Sequence, residues 1–141
     1  AWLDVWSLEH FLSGLSVGSL GILLAHRIFL RGVPLSKELT EEFAPRFYAI
    51  YILFIAFAWE ALEFYLEAGY SGNEWVTYWF QGVEFWGNRL ITDPLLTLAG
   101  GIIGLRYATL VWPARLFSGL WLAVHLFYFP HSMYLHDLLG L

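Results

Sequence analysis

The sequence predicts an all-α integral membrane protein with four transmembrane helices and an interfacial amphipathic helix between the second and the third. The 141 residues are 59% hydrophobic and 20% aromatic, with a mean hydropathy of +0.60. A soluble domain of this length cannot bury so much apolar surface. Only 13% of the residues are charged, and runs long or apolar enough to span a bilayer occur four times. The length predicts a single domain, residues 1–141.

Composition and charge also exclude several classes of function. The chain has no cysteine, so it cannot form disulfides, a thiolate site or a cysteine-ligated iron–sulfur cluster. Its net charge of −5 and the lack of a basic stripe argue against a nucleic-acid partner. Residues 1–25 lack a basic leader and a cleavage site, so they are not expected to be a signal peptide.

Each span is recognised by an apolar run and by the residues that bound it. The spans are predicted at about residues 5–25, 47–66, 90–109 and 113–129. Arg27 closes the first span, Arg46 opens the second, and Pro113 opens the fourth at a favoured first-turn position. Residues 32–44, between the first two spans, are polar and predict a turn with a short surface helix.

Residues 72–88 have the pattern of an amphipathic helix lying in the membrane interface. One helical face carries Glu74, Thr77, Gln81, Glu84 and Asn88, and the other carries Trp75, Trp79, Val83 and Trp86. Tryptophan is favoured at the depth of the lipid headgroups. The residues therefore predict one amphipathic helix in the interface, with its tryptophans at headgroup depth.

The basic residues predict how the spans are oriented. Six of the seven lie beside the loop between the first two spans or the loop between the last two: Arg27, Arg31, Lys37, Arg46, Arg106 and Arg115. Arg89 is on the opposite side. The positive-inside rule then places both termini and the amphipathic helix outside the cytoplasm.

Two spans carry matching stripes of small residues, each with one polar group near the outer end. The stripes are His10, Gly14, Gly18 and Gly21 in the first span, and Asp93, Thr97, Gly100 and Gly104 in the third. Small residues let membrane helices approach closely. Packing of the two stripes would bring His10 and Asp93 together.

Glu60 and Glu63 stand one helical turn apart near the outer end of the second span. At a rise of ~1.5 Å per residue, Glu60 lies roughly 20 Å into the bilayer, where a carboxylate costs on the order of 3 kcal/mol unless paired, protonated or metal-bound. Glu60 and Glu63, together with His10 and Asp93, predict a site for a divalent metal ion. The three carboxylates, Glu60, Glu63 and Asp93, are also candidates for general acid–base catalysis. The alternative is a buried polar network that fixes helix register. Glu67 is expected at the surface.

His125, near the outer end of the fourth span, leaves two interpretations open. It is either a hydrogen-bonded core histidine or an axial ligand to haem or a chlorin pigment, and His10 with His125 could form a bis-histidine haem site. His131 and His136 are expected to be solvated at the interface. The aromatic surface faces lipid, or contacts carotenoid, quinone or pigment in a larger assembly.

The same residues resemble VanZ-like membrane proteins and the related YjdF-like group. The similar elements are SLEHFLSG with His10, WEALEF with Glu60 and Glu63, and Asp93-x3-Thr97-x2-Gly100-x3-Gly104, where the family usually has Asn at the position of Thr97. The Gln and Arg that often follow the family's Glu have no clear counterpart, and Arg89 is the candidate for that Arg. The resemblance implies a compact domain of four to five helices with an extracytoplasmic polar site, in a family linked to glycopeptide resistance and the cell envelope.

Two functions follow as expectations. In the first, His10, Glu60, Glu63 and Asp93 bind a divalent metal, Arg89 steers a phosphate, and the site binds or hydrolyses an anionic lipid-linked or envelope substrate. In the second, the chain is a non-catalytic subunit of a larger membrane complex or a homo-oligomer, and it contacts haem, pigment or quinone. The sequence leaves open whether the protein is an enzyme.

Overall fold

The regular structure of the described residues is helical. The computed structural model describes residues 2–28, 44–80 and 84–128. Its helices are α1 (Val5–Ile28), α2 (Ala44–Glu67), α3 (Glu74–Trp79), α4 (Asp93–Arg106) and α5 (Val111–Tyr128). A π-helical turn, Asn88–Thr92, leads into α4, and a 3-10 turn, Ala108–Leu110, joins α4 to α5. The predicted all-helical class is confirmed.

The four long helices fall close to the four predicted spans, but their lengths differ. Within the described part of the chain, one helix, Pro45–Glu67, is by itself long and apolar enough to cross a membrane. The helices Asn88–Arg106 and Ala108–Val124 are long and apolar enough only when they are taken together, as a pair bent by 114°. The 14 residues of α4 measure about 21 Å, less than the ~30 Å hydrocarbon core. Four complete spans therefore stay a prediction.

The connection from α2 to α4 differs from the predicted amphipathic helix. Its helix α3 has six residues, capped by the Asn73 side chain, whose Oδ1 accepts from the backbone N–H of Trp75 at 3.0 Å. The helix stops before Phe80, so its periodicity does not extend to Glu84 and Asn88. These two residues are buried, 7% and 0% exposed, and the prediction of one amphipathic helix from residue 72 to residue 88 was wrong. The surface helix predicted within residues 32–44 falls outside the described residues.

The two glycine stripes pack against each other, as predicted. A Cβ added at Gly14 would overlap the backbone of Thr97, and one added at Gly100 would overlap the backbone of Phe11. Only residues without side chains allow two helices to approach so closely. This contact between α1 and α4 sets His10 beside the start of α4.

Polar contacts fasten the other two long helices to this pair. The hydroxyl of Tyr48 on α2 donates to the carbonyl of Gly101 at 2.8 Å. On the other side, Nε of Arg115 on α5 donates to the carbonyl of Ser16 at 3.2 Å. The Ser118 hydroxyl donates to Glu9. With these contacts α2 and α5 are fixed to the α1–α4 pair, and α2 presents its inner face to His10.

Candidate metal centre

His10 and two glutamates of α2 meet where α1, α2 and α4 come together. Nε2 of His10 lies 3.3 Å from Oε1 of Glu60 and 4.0 Å from Oδ2 of Asp93. Glu60 and Glu63 are each 2% exposed. One ligand atom each from His10, Glu60 and Glu63 lies within 4.8 Å of the other two. The structure thus brings together the four residues that the sequence predicted as metal ligands.

Thr97 orients the imidazole of His10. Its hydroxyl donates to the carbonyl of Asp93 at 2.8 Å, and the same oxygen lies 3.5 Å from Nδ1 of His10. Because the hydroxyl hydrogen is used by the carbonyl, Thr97 acts as an acceptor toward the ring, which favours the tautomer with its hydrogen on Nδ1. The lone pair on Nε2 is then directed at the carboxylates, as a metal-binding imidazole requires.

A second carboxylate cluster lies beside the first. One oxygen each of Asp4, Glu84 and Asp93 lies within 4.8 Å of the other two. Asp4 and Asp93 are completely buried, and Glu84 is 7% exposed. Burial and the neighbouring carboxylate of Asp93 raise the pKa of Glu84 to about 10. Sequence reasoning included Asp93 in the site and missed Asp4 and Glu84.

The residues before α1 are held against the segment that precedes α4. Leu3 has a φ of +62°, which a leucine adopts only when its surroundings hold it there. Its N–H donates to Oδ1 of Asn88 at 3.1 Å. Trp2 packs edge-on against Phe85 with ring centroids 5.2 Å apart. These contacts place Asp4 next to Glu84 and Asp93.

The π-helical turn sets the direction of Asp93. The N–H of Asp93 donates to the carbonyl of Asn88, five residues earlier, so the turn is wider than an α-helical one. Pro94, near the start of α4, lacks the N–H that would have no partner in a first turn. Such insertions are frequent at functional sites, and this one opens the helix that carries Asp93.

Arg89 lies among the carboxylates. Its Nη2 is 2.6 Å from Oε2 of Glu67 and 3.6 Å from Oε2 of Glu84, and its Nε is 3.6 Å from Oε2 of Glu60. Its guanidinium also stacks over the Phe64 ring at 5.3 Å. The Glu67 side chain is 4% exposed, so its predicted surface position was wrong. The role of Arg89 in steering a phosphate stays a prediction.

Several buried oxygens in the two clusters have no hydrogen-bond partner. They are both oxygens of Glu60 and of Asp93, Oδ2 of Asp4, Oε2 of Glu63 and Oε1 of Glu84. Buried carboxylate oxygens without partners are costly. Bound cations or shared protons are the two ways to satisfy such a group of acids.

The structure does not test the haem alternative. His125 belongs to α5, and its side chain is outside the described part of the structure, as are His131 and His136. The bis-histidine site of His10 and His125 stays a prediction. In the structure, Nε2 of His10 faces Glu60 and Asp93.

The two residues that the sequence reasoning missed carried weak signals in the sequence. Asp4 stands three residues before Ser7, a spacing typical of a helix cap, and a cap is normally assigned to the surface. In the sequence, Glu84 lies on the polar face of the helix predicted for residues 72–88, whereas in the structure α3 ends at Trp79.

Comparisons of the chain with protein-family models, with curated proteins and with solved structures found no match. The resemblance to VanZ-like proteins therefore stays a prediction.

Proposed function

We propose that this chain is an integral membrane protein in which His10, Glu60 and Glu63 bind a divalent metal ion that serves to bind and hydrolyse an anionic, lipid-linked substrate. The observation that carries the proposal is the convergence of these three buried side chains within 4.8 Å. They come from two helices, and both oxygens of Glu60 lack a hydrogen-bond partner. A metal ion satisfies such oxygens and offsets their charge.

The exposed surface of the helices supports a membrane location. In the most apolar window of Pro45–Glu67, 22% of the residues are buried, whereas the core helix of a soluble protein is mostly buried. Its exposed side chains include Ile50 and Phe54, 69% and 72% exposed. On α5, Leu116 and Phe127 are 73% and 78% exposed. Hydrocarbon chains of lipid would cover these side chains. The basic residues favour an extracytoplasmic location for the metal site.

The donor set indicates the class of metal. One imidazole nitrogen and two carboxylates suit Zn²⁺, Mn²⁺ or Fe²⁺ better than Ca²⁺ or Mg²⁺, which prefer oxygen ligands alone. Thr97 supplies the hydrogen-bonding support that metal-bound imidazoles usually have. Asp93 stands 4.0 Å from the His10 nitrogen, close enough to complete the coordination with a small shift.

The surrounding groups suit hydrolysis of a phosphate ester. A bound metal ion polarises a phosphoryl oxygen and lowers the pKa of a water molecule. Asp93 lies beside the site with two oxygens that lack hydrogen bonds, so it can hold the metal ion in place for this chemistry. Arg89 lies beside the site, ion-paired with Glu60, Glu67 and Glu84, and in this proposal it turns toward the phosphate of an anionic headgroup when the substrate binds.

The test uses protein purified in detergent, stripped with a chelator, and dialysed against Zn²⁺ or Mn²⁺. Elemental analysis is expected to find bound metal in the parent, and at least a tenfold lower affinity in Glu60→Gln and Glu63→Gln. The control is Glu9→Gln, a carboxylate of α1 that bonds to Ser13 and Ser118 instead, and it is expected to bind metal as the parent does. A parent that binds no metal, or loses it equally in Glu9→Gln, would contradict the proposal. Haem or pigment absorbance in the purified protein would instead favour an accessory subunit.

A further inference from the structure

We infer that Asp4, Glu84 and Asp93 form a second cation site, which takes a hard divalent ion such as Ca²⁺, Mg²⁺ or Mn²⁺. The centre would then hold two cations, with Asp93 between them. This inference rests on the proposed function, because it adds a second ion to the centre at His10. Its ligands are all oxygens, whereas the first site contains an imidazole.

The three side chains already have the spacing of one coordination sphere. Their ligand oxygens lie within 4.8 Å of one another. Oxygen ligands of Ca²⁺ stand 2.3–2.6 Å from the ion, so that two opposed ligands are about 5 Å apart. An ion can therefore contact one oxygen from each side chain without a large displacement of the helices.

A structural role for Asp4 accounts for one of its two oxygens. Oδ1 accepts hydrogen bonds from the backbone N–H of Ser7 at 2.9 Å and from its hydroxyl at 3.3 Å, as a helix cap does. Oδ2 has no hydrogen-bond partner, although Asp4 is completely buried. An unpartnered buried oxygen beside two further acids indicates a ligand that is not part of the chain.

Glu84 and Asp93 also have carboxylate oxygens without hydrogen-bond partners. Both oxygens of Asp93 and Oε1 of Glu84 lack hydrogen-bond partners. The second oxygen of Glu84 is 3.6 Å from Nη2 of Arg89, and that nitrogen is already 2.6 Å from Glu67. Arg89 is therefore closest to Glu67, and its contact with the Asp4–Glu84–Asp93 cluster is the longer one, to a single oxygen of Glu84.

The charge of the whole centre also favours two ions. It contains six carboxylates: Asp4, Glu60, Glu63, Glu67, Glu84 and Asp93. Among the residues described by the structure, Arg89 is the single arginine or lysine that pairs with them. With all six ionised, the excess is five negative charges. One divalent cation reduces the excess to three negative charges, and a second reduces it to one. A single uncompensated charge is far less costly in a buried site than three.

Asp93 links the two sites. It belongs to the oxygen cluster, and its Oδ2 lies 4.0 Å from Nε2 of His10. A carboxylate with two unpartnered oxygens can ligate one ion on each side. Paired metal ions about 3.5–4 Å apart are a common arrangement in enzymes that cleave phosphate esters, where each ion stabilises one of the reacting oxygens.

The test measures how many ions bind. Chelator-stripped protein in detergent is dialysed against Zn²⁺ and Ca²⁺ together, and both elements are determined per chain. We expect one Zn²⁺ and one Ca²⁺ in the parent. Asp4→Asn is expected to keep Zn²⁺ and lose Ca²⁺, and the asparagine keeps an oxygen that can still cap α1. Glu84→Gln should give the same result, and Glu9→Gln is the control that should bind both ions.

The outcomes separate this inference from the proposed function. A parent with one Zn²⁺ and no Ca²⁺ would overturn the second site and leave the first standing. Loss of both metals from Asp4→Asn with an unchanged circular dichroism spectrum would also contradict two separable sites. A parent that binds neither metal would overturn both proposals. Titration with Mn²⁺ alone, followed by the electron paramagnetic resonance signal of the free ion, should show two equivalents in the parent and one in either variant.

Discussion

Nε2 of His10 on α1 lies 3.3 Å from Oε1 of Glu60 on α2, in a place where both side chains are buried. The contact depends on the glycines of α1 and α4, because their close packing sets the position of His10. It also depends on Thr97, which contacts the other ring nitrogen. Metal binding should therefore respond to changes that do not touch a ligand.

Thr97→Val should weaken metal binding while every ligand stays in place. Valine has nearly the shape of threonine, so the change removes the oxygen 3.5 Å from Nδ1 of His10 with little change in packing. Loss of such an orienting group typically lowers metal affinity by about 10–100-fold. Thr97→Ser, which keeps the hydroxyl, should restore most of the affinity. Isothermal titration with Zn²⁺ makes the comparison, and equal affinity of all three proteins would contradict this role of Thr97.

Gly14→Ala should destabilise the protein and also weaken metal binding. The added methyl group would overlap the backbone of Thr97, and overpacking of this kind costs about 1–3 kcal/mol. Gly119→Ala on α5 is the matched control, because a Cβ there meets nothing within 4 Å. Thermal unfolding in detergent should show a clear loss of stability for Gly14→Ala only. An equal effect of the two substitutions would mean that the α1–α4 contact is not as close as the structure shows.

Arg89→Gln should destabilise the metal-free protein strongly. The Arg89 and Glu67 side chains are 9% and 4% exposed and 2.6 Å apart, and removal of one partner of a buried ion pair costs about 3–5 kcal/mol. The double variant Glu67→Gln/Arg89→Gln should be more stable than Arg89→Gln alone, because it leaves no unpaired charge at position 67. Additive losses in this double-mutant cycle would show that the pair is not coupled.

The stability of the metal-free protein should fall as the pH rises from 5 to 9. The pKa of Glu84 is raised to about 10 in the folded state, against about 4.3 for an unfolded glutamate. Between these values the folded protein keeps a proton that the unfolded chain has released, so this contribution is complete below the lower pKa and is lost toward the higher one. Its slope reaches about 1.4 kcal/mol per pH unit. Glu84→Gln should flatten the profile measured in EDTA, and identical slopes for the two proteins would contradict the prediction.

The predicted orientation can be tested by labelling, because the chain has no cysteine. Glu74→Cys lies on α3, before α4, and Ala108→Cys lies in the turn after α4; both positions are exposed. In intact cells a membrane-impermeant maleimide should label Glu74→Cys and leave Ala108→Cys unlabelled until the cells are lysed. The reverse pattern would invert the topology and place the metal site on the cytoplasmic side.

The local pattern of the sequence was sufficient to predict the long helices and the first group of candidate site residues, His10, Glu60, Glu63 and Asp93. Apolar runs and the residues at their boundaries located the four long helices, because the hydrophobic pattern that marks a helix lies within one stretch of the chain. The matching stripes from His10 to Gly21 and from Asp93 to Gly104 correctly paired α1 with α4. Glu60 and Glu63 were identified because carboxylates within an apolar run require a partner.

The sequence by itself therefore determined the helical class, the α1–α4 contact, and the group of His10, Glu60, Glu63 and Asp93. Only the tertiary structure decided that Asp4 and Glu84 join Asp93, because that contact depends on Leu3 held by Asn88 and on the end of α3 before Phe80. It also decided that Glu67 is buried against Arg89. The physical reason is that burial of a polar side chain is a property of its neighbours in space, and these neighbours are distant in the chain.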